Sequence, residues 1–190
     1  MKMTEPRVRP ADERSDDELV EAVRCGDPRA FECIVERHRA SVVRLAGRFF
    51  HQRVDLEDVL QDTFVEAWIN LGSYHPRKDG SFAAWCRRVA VHTCLDALRR
   101  VRRRREEPQA DPEGGAAGAP AVESAVVTRD LAVKLLRRLP PEDRLVLVLE
   151  ELEGASLREI AELTGWSLPK VKVRAHRARC RLRSLAKRLR

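Results

Sequence analysis

Apolar residues recur at intervals of three and four along most of the chain, which is the spacing of amphipathic helices. In the first half, one such stripe begins at Phe31, a second follows the acidic residue Asp55, and a third begins at Phe82. Ahead of them, Ser15 with Glu18 three residues later predicts a capping box at the start of a short helix. No segment has the pattern of a strand, so the sequence predicts an all-α fold.

Helix ends are also marked in the sequence. Gly26 predicts the end of the first helix, and Asp27 followed by Pro28 predicts the cap and first residue of the second. Residues 72–80 hold two glycines and a proline and predict a loop, after which Ser81 caps a long helix. In the helix after Asp55, the side chains expected to face the core are Leu56, Leu60, Phe64, Ala67, Trp68 and Leu71.

The stretch from Glu106 to Thr128 has a different composition from its surroundings. It contains three prolines, three glycines and five acidic residues, and it has no Lys or Arg. This composition predicts a flexible anionic linker over 106–127, between one small helical domain at 15–105 and another at 128–190. The negative charge would keep the linker off DNA, although a plain solvated tether is the alternative.

The second domain carries the spacing of a helix-turn-helix. Two helices that cross closely need a small residue, here Ala161, and a turn residue that tolerates positive φ, here Gly165. Val171 supplies the apolar residue that packs the second helix back onto the first. From Gly165 to Arg190 there are ten Lys and Arg and no Asp or Glu. An all-basic helix after such a turn favours a position in the DNA major groove.

Charge is sorted into blocks along the whole chain, which has 190 residues and a net charge of +7. Residues 96–105 contain six Arg and one Asp, whereas residues 55–66 contain five acids and no Lys or Arg. The basic blocks favour a polyanion, and the acidic block favours a basic protein surface. More than one kind of partner is therefore expected.

Several function classes receive no support from the sequence. No apolar run has the length of a membrane span, and residues 1–14 lack a signal-peptide core, so we expect a cytoplasmic protein without membrane insertion. No two of the five cysteines have CxxC spacing, and they are interpreted as ordinary buried thiols, with redox sensing as the alternative. The five histidines are scattered and no phosphate-cradling glycine motif occurs, so we expect no metal, no cofactor and no catalytic residue.

Three segments resemble the sigma factors of bacterial RNA polymerase. They are DLEDVLQDTFVEAW at 55–68, FAAWCRRVAVH at 82–92 with the arginines beyond it, and the helix-turn-helix at 158–179. They occur in the order that they have in the family, with the linker between the second and the third. In lacking further domains, the chain resembles the extracytoplasmic-function (ECF) group. The resemblance implies a transcription initiation factor, not an enzyme, in which 15–105 is sigma region 2 and 128–190 is sigma region 4.

The resemblance also implies partners and site residues. RNA polymerase core would bind through the coiled coil of its largest subunit and its flap region, promoter DNA would bind both domains, and an anti-sigma factor would regulate the chain. The residues expected to bind polymerase are Asp58, Gln61, Asp62, Val65 and Glu66. Those expected at the downstream promoter element, which the N-terminal domain opens, are Tyr74, His75, Arg77, Lys78, Arg87, Arg88, His92, Arg99 and Arg100. Those expected at the upstream element are Pro169, Lys170, Lys172, Val173, Arg174, His176 and Arg177.

Physical arguments divide these roles further. Single-strand capture uses aromatic platforms and cations, which the 72–80 loop offers in Tyr74 and its basic neighbours. Phe82 and Trp85 are expected in the core instead. Later residues of the last helix, such as Arg179 and Arg181, are expected to hold phosphates. His92, Pro169 and Val173 depart from residues common in the family, which leaves the preferred bases open.

A stand-alone helix-turn-helix regulator that binds duplex operators is the main alternative. It would account for the second domain but not for the acidic block at 55–66 or for the loop and arginines of the first domain. An enzyme is a weaker alternative, because no constellation of catalytic residues is present.

Overall fold

The structure is a computed structural model that describes residues 13–106 and 133–188, and across those ranges it is helical, with no strand. The all-α prediction is therefore confirmed. Apart from Glu106, the predicted linker at 106–127 lies outside the described residues. The helices are α1 (Asp16–Arg24), α2 (Pro28–Ala46), α3 (Arg53–Ile69), α4 (Pro76–Asp79), α5 (Phe82–Glu106), α6 (Pro141–Glu151), α7 (Leu157–Thr164) and α8 (Leu168–Lys187). A 3-10 turn spans Leu71–Ser73, and residues 133–136 form one more helical turn.

Two of the helices begin with complete capping boxes. Ser15 Oγ accepts from the backbone N–H of Glu18 at 3.3 Å, and the Glu18 carboxylate accepts from the backbone N–H of Ser15 at 2.7 Å. Ser156 and Glu159 repeat this arrangement at α7, with distances of 3.2 and 2.7 Å. The hydrogen bond from the Ser156 backbone holds the pKa of Glu159 below its usual value. Each box satisfies backbone donors that a helix start leaves without partners.

The N-terminal module, residues 13–106, is built around α2, α3 and α5, which pack against one another, with α1 against α2. Four of the six side chains expected to face the core from the helix after Asp55 are buried, and Leu56 is half-buried. The expectation for Trp68 is wrong, because its side chain is 45% exposed and lies edge-on to Phe31 with ring centroids 4.9 Å apart. Val59 and Thr63 are buried on α3 in its place. Phe82 and Trp85 are in the core, as predicted.

The segment 72–80 is more ordered than the predicted loop. It contains the end of the 3-10 turn and the whole of α4. Arg24 of α1 donates to the Leu71 and Tyr74 carbonyl oxygens and ties this segment to the first helix. The segment is therefore positioned by the fold before any partner binds.

The C-terminal module, residues 133–188, is the predicted helix-turn-helix with α6 packed across it. Gly165 ends α7 in the left-handed region with φ of 68°, a conformation that side chains with a Cβ rarely adopt. The chain reverses there, and α8 returns against α6 and α7. Ile160, Val171 and Ala175 are buried where α7 and α8 meet.

The two modules are packed against each other. The long helix α5 contacts both α6 and α7, and buried apolar side chains of both modules belong to one continuous cluster. Arg144 of α6 is buried and donates to the backbone carbonyl of Phe49 in the N-terminal module. The C-terminal module is thus attached to the first through side chains on one face of α5 and through the turn after α2.

The cysteines follow the prediction of buried thiols only in part. Cys86 and Cys94 are buried, and loss of solvent raises their pKa values to about 11 and about 12. Cys33 is half-buried, whereas Cys25 and Cys180 are exposed. The prediction is wrong for these last two, because Cys25 lies at the end of α1 and Cys180 faces outward from α8.

The caps provide a test of the local structure. Replacement of Ser156 by Ala removes the side-chain acceptor at the start of α7 and should lower the free energy of unfolding by about 1 kcal/mol. Ser167→Ala is the matched control, because Ser167 occupies the same cap position on α8 without a side-chain cap hydrogen bond. Urea denaturation followed by circular dichroism measures both, and equal losses in the two variants would contradict this assignment.

Candidate nucleic-acid interface

The exposed face of α8 carries most of the residues predicted to read the upstream element. Val171, Ala175 and Ala178 bury the opposite face against α6 and α7, which fixes the rotation of the helix. The predicted residues left on the surface are Pro169, Lys170, Lys172, Val173, His176 and Arg177. They lie on the first three turns, towards the N-terminal end of the helix, which is the part of a recognition helix that reaches base edges. We name this set the recognition stripe.

Arg174 does not belong to that stripe. It lies half-buried against α6, where its guanidinium donates to the carboxylate of Asp143 at 3.0 Å. Asp143 is only 1% exposed and also accepts from Arg181. The expectation that Arg174 reads bases therefore does not fit this structure, because the side chain neutralises a buried carboxylate.

The basic residues after the recognition stripe also have acidic partners. Arg179 pairs with Glu150 and with Glu151 of α6. Arg181 pairs with Asp143, so two of the four residues expected to hold phosphates, Arg179 and Arg181, are engaged by carboxylates of the same module; the other two are Lys187 and Arg188. The helix is all-basic in sequence, but α6 supplies the acids along one side of it.

Trp166, in the turn between α7 and α8, supports the start of the recognition helix. The Lys170 ammonium lies 4.6 Å from the centre of its ring, and the Arg174 guanidinium lies 5.2 Å from it. Cations placed over an indole face gain roughly 0.5–1 kcal/mol at exposed sites. The ring therefore restricts the side-chain position of Lys170 in the recognition stripe, while the carboxylate of Asp143 fixes the guanidinium of Arg174. Trp166 was not among the residues predicted from the sequence. Its position four residues before Lys170 could have indicated the contact between the ring and the ammonium group.

The N-terminal module has a polar cleft of about 770 Å³ between α3 and α5. Four of the residues predicted at the downstream element line it, namely Arg88, His92, Arg99 and Arg100, and Arg103 joins them. Asp62 and Glu66 of α3 form the other wall, and Asp62 pairs with Arg100 at 2.5 Å. The cleft combines guanidinium groups with the exposed imidazole of His92, which suits a single nucleic-acid strand better than a duplex.

Other predicted residues of the downstream set lie elsewhere. Tyr74 is 0% exposed, with its hydroxyl 2.8 Å from an Asp17 carboxylate oxygen and its ring against Phe82 and Trp85. The expectation that Tyr74 stacks on a base is wrong for this conformation, because the ring is part of the core. His75 and Lys78 are exposed as expected, and the side chain of Arg77 lies outside the described part of the chain.

Arg87 points away from the cleft and toward the C-terminal module. Its guanidinium lies 3.3 Å from the carboxylate of Glu153, which also accepts from Arg48 at 2.9 Å. Arg99 lines the cleft but donates to Glu142 of α6 at 3.0 Å as well as to Asp96 on its own helix. Two residues expected on phosphates are therefore engaged by acids of the other module.

A second, apolar groove of about 460 Å³ lies between α2 and α3, on the other side of α3 from the cleft. Of the residues predicted to bind polymerase, Gln61 and Val65 line it, and Val65 is 49% exposed. Asp62 and Glu66 face the polar cleft, while Asp58 is exposed near the start of α3. The acids of the predicted set thus lie on the α5 side of α3, whereas Gln61 and Val65 line the apolar groove. The remaining apolar wall of the groove is formed by Phe31, Val35, Leu60, Phe64 and Trp68.

The part of the chain that the structure describes offers neither a membrane span nor a metal site. No described helix combines the length and apolar character that crossing a bilayer requires. The same residues contain no group of three or more His, Cys, Asp or Glu that could hold a metal ion.

Family models match both modules of the chain. The model for sigma-70 region 2 matches residues 34–104, and the model for sigma-70 region 4 matches residues 129–182. These ranges contain the polar cleft and the recognition stripe, respectively.

Individual proteins are similar over nearly the whole chain. The ECF RNA polymerase sigma factor SigM of Mycobacterium tuberculosis is 35% identical over 173 residues, covering 91% of this chain and 85% of SigM. The ECF RNA polymerase sigma-E factor of Escherichia coli is 30% identical over 182 residues, covering 89% of this chain and 93% of that protein. Among solved structures, CnrH in complex with the cytosolic domain of CnrY matches with a TM-score of 0.58 and 29% identity, covering 92% of this chain and 98% of CnrH. The sigma factor RpoE of Bartonella quintana shares the fold, with a TM-score of 0.57 and 23% identity, covering 83% of this chain and 96% of RpoE.

Proposed function

The chain belongs to the sigma-70 family, in its ECF group, and from that premise we propose how its surfaces divide the work of transcription initiation. As an ECF sigma factor it binds RNA polymerase core and directs the enzyme to specific promoters. The observation that carries the proposal is the exposed recognition stripe on α8, which packing holds outward at the start of a helix-turn-helix. In this proposal, residues 15–105 act as region 2, 106–127 as linker and 128–190 as region 4.

The apolar groove between α2 and α3 is the proposed docking surface for polymerase. Val65 and Trp68 are exposed apolar side chains in a half-open groove, and such residues gain free energy when a partner covers them. Gln61 lies beside them, and Asp58 is exposed on the same helix. A helix of the polymerase coiled coil with apolar and basic side chains would complement this surface. Asp62 and Glu66 line the polar cleft and not this groove.

The polar cleft between α3 and α5 is the proposed binding site for the opened downstream element. Its arginines can neutralise phosphates, while the exposed ring of His92 offers a planar surface for a base. His75 and Lys78 are exposed on the segment before α5 and would extend the cationic path. Capture of unpaired bases here would favour strand separation, because the bound strand is removed from the duplex equilibrium.

The recognition stripe is the proposed reader of the upstream element. Lys172 and Arg177 are long donors near the start of α8, and Val173 can contact a thymine methyl group. Packing orients α8 so that these three side chains are on one exposed surface, opposite Val171 and Ala175. Arg174 is assigned to stabilising the module and not to reading bases.

We also propose that the chain works in the cytoplasm, without catalytic activity of its own, and under control of an anti-sigma partner. Initiation factors act through polymerase, which supplies the chemistry. CnrH, which is 29% identical, has been solved in complex with the cytosolic domain of CnrY, and this supports a comparable protein partner here. A stand-alone helix-turn-helix regulator would not account for the sigma-70 region 2 match in the N-terminal module. No observation therefore favours that alternative.

Transcription in vitro tests the function as a whole. Core polymerase with the purified chain, given a genomic DNA library, should initiate at discrete sites. The DNA preceding these sites should share two sequence motifs, one for the upstream and one for the downstream promoter element. Mapping the 5′ ends of the transcripts measures this, with core alone as the control. If adding the chain produces no starts beyond those of core alone, the proposed function is wrong.

Val65→Lys tests polymerase docking. A charged side chain in the apolar groove should weaken binding to core by more than 1 kcal/mol, which is about fivefold or greater, for a contact at an interface centre. Val54→Lys is the matched control, because Val54 is the same residue type on the same helix, is 69% exposed and lies outside the groove. Fluorescence titration of labelled chain with core measures both, and equal affinities would contradict the docking assignment.

A pair of substitutions on α8 tests promoter reading. Arg177→Ala should relax preference at one base position, because a bidentate contact to guanine provides about 1–3 kcal/mol of discrimination. Arg183→Ala, two turns later, should weaken binding to all sequences alike and lower the salt dependence by about one counterion. Binding of holoenzyme to a library of upstream-element variants at several salt concentrations measures both. Uniform losses in the two variants would mean that α8 only clamps the backbone.

A further inference from the structure

The turn between α7 and α8 is anchored to the core on both sides of Gly165. The Thr164 side chain is buried, and its hydroxyl donates to the Ile160 carbonyl oxygen at 2.6 Å. The same hydroxyl oxygen accepts from the backbone N–H of Trp166 at 3.4 Å, and the half-buried Trp166 side chain packs against the apolar core. The fold therefore sets the position of the indole ring before DNA is bound.

The ring of Trp166 lies against two cations of α8 that have different surroundings. Arg174, whose guanidinium carbon is 5.2 Å from the ring centre, is held by the buried carboxylate of Asp143. Lys170, whose ammonium nitrogen is 4.6 Å from the ring centre, is exposed on the recognition stripe. The indole thus connects a fixed internal cation to a cation on the surface proposed to face DNA.

An aromatic ring holds a cation in a different way from a carboxylate. A carboxylate neutralises its partner and accepts its hydrogen bonds, as Asp143 does for Arg174 and Arg181. The face of an indole attracts an ammonium group through its quadrupole and offers no lone pair. The charge of Lys170 and the N–H donors that point away from the ring therefore remain available. Lys170 is oriented without being neutralised.

Orientation decides what a lysine can recognise on DNA. The lysine ammonium is a compact charge on a flexible four-carbon stem, and an unrestrained lysine adapts to phosphates, which carry no direct sequence information. A lysine whose ammonium is held in one place can instead pair with O6 and N7 of a guanine in the major groove. Lys170 lies on the first turn of α8, where a recognition helix reaches base edges.

We infer that Trp166 is a specificity-determining positioning residue, which orients Lys170 toward a guanine of the upstream element. This inference rests on the proposed function of the recognition stripe. It adds a residue outside the stripe and names the base that this residue helps to select. The effect of Trp166 is exerted through Lys170 and not through a contact of its own with DNA.

Loss of the ring should therefore change the choice of base. Trp166→Leu retains an apolar side chain in the turn but removes the attraction for the ammonium group. It should lower the preference for guanine at one position of the upstream element by about two- to fivefold. Lys170→Ala should lower the preference at the same position by at least as much. Trp166→Phe should fall between the wild type and Trp166→Leu, because a phenyl face attracts cations less strongly than an indole face.

The experiment is a double-mutant cycle in holoenzyme with the full chain. Binding to upstream-element variants of a promoter mapped for this protein measures the base preference at each position, and circular dichroism verifies that each variant keeps its helicity. In the Lys170→Ala background, Trp166→Leu should cause no further loss of guanine preference, because the two substitutions remove one interaction. The matched control combines Trp166→Leu with Arg177→Ala, almost two turns beyond Lys170 on α8, where the two effects should add.

A uniform loss of affinity in Trp166→Leu with every base preference retained would give Trp166 a structural role only and overturn the inference. Additive effects of Trp166→Leu and Lys170→Ala would overturn it as well. If Trp166→Leu loses helicity, the cycle is completed with Trp166→Phe, whose smaller effect should still vanish in the Lys170→Ala background. Wild-type holoenzyme without any base preference in the upstream element would refute the proposed reading by α8, a result separate from these.

Discussion

The orientation of the arginines depends on a small number of carboxylates in the C-terminal module that are largely removed from water. Asp143 is almost fully buried, and Glu153 is nearly so. Burying an ionised carboxylate without a partner costs roughly several kcal/mol, so each one must form an ion pair with a cation of a neighbouring helix. Asp143 draws Arg174 and Arg181 from the recognition helix, and Glu153 draws side chains across the contact between modules. The cationic surfaces available to DNA are those that remain.

This constraint explains why the basic last helix has two different sides. Its sequence shows ten basic residues and no acid after Gly165, which predicts one uniform cationic cylinder. In the fold, α6 lies along one side and supplies the acids, and the apolar residues Val171 and Ala175 fix which side that is. The opposite side keeps its charge in solvent. Specific reading then needs only the few side chains that packing leaves outward on the first turns.

Local signals made the helix boundaries predictable, because caps and turns are determined by residues three or four positions apart. Ser15 with Glu18, and Gly165 in the turn, behave as the sequence indicates. Contacts between distant segments were not predictable in this way. Tyr74 is buried with its ring against Phe82 and Trp85, and its hydroxyl donates to Asp17, 57 positions earlier. Arg174 is withdrawn from the recognition stripe by an acid 31 positions away.

The apolar groove between α2 and α3 also shows the limit of prediction from sequence. Trp68 has the spacing of a core residue, and a large aromatic at that spacing is usually buried. The apolar face of α3 is wider than its neighbours can cover, so Val59 and Thr63 fill the core and Trp68 remains at the edge against Phe31. Exposure of apolar surface was therefore the informative feature of this helix, and only the packed structure reveals it.

Helix α3 separates the two proposed activities of the N-terminal module by rotation alone. Successive residues on an α-helix differ by about 100° around the axis, so Gln61 faces the apolar groove while Asp62 faces the polar cleft. Val65 lies on the boundary and lines both. A polymerase helix docked in the apolar groove would leave the polar cleft open. Because α3 is a single rigid helix, it would then fix the position of polymerase relative to the DNA strand in the cleft. The carboxylates on that wall also matter, because Asp62 already neutralises Arg100 and disfavours a phosphate beside it. The α3 side of the cleft is thereby suited to bases, and the arginines further along α5 are left for the backbone.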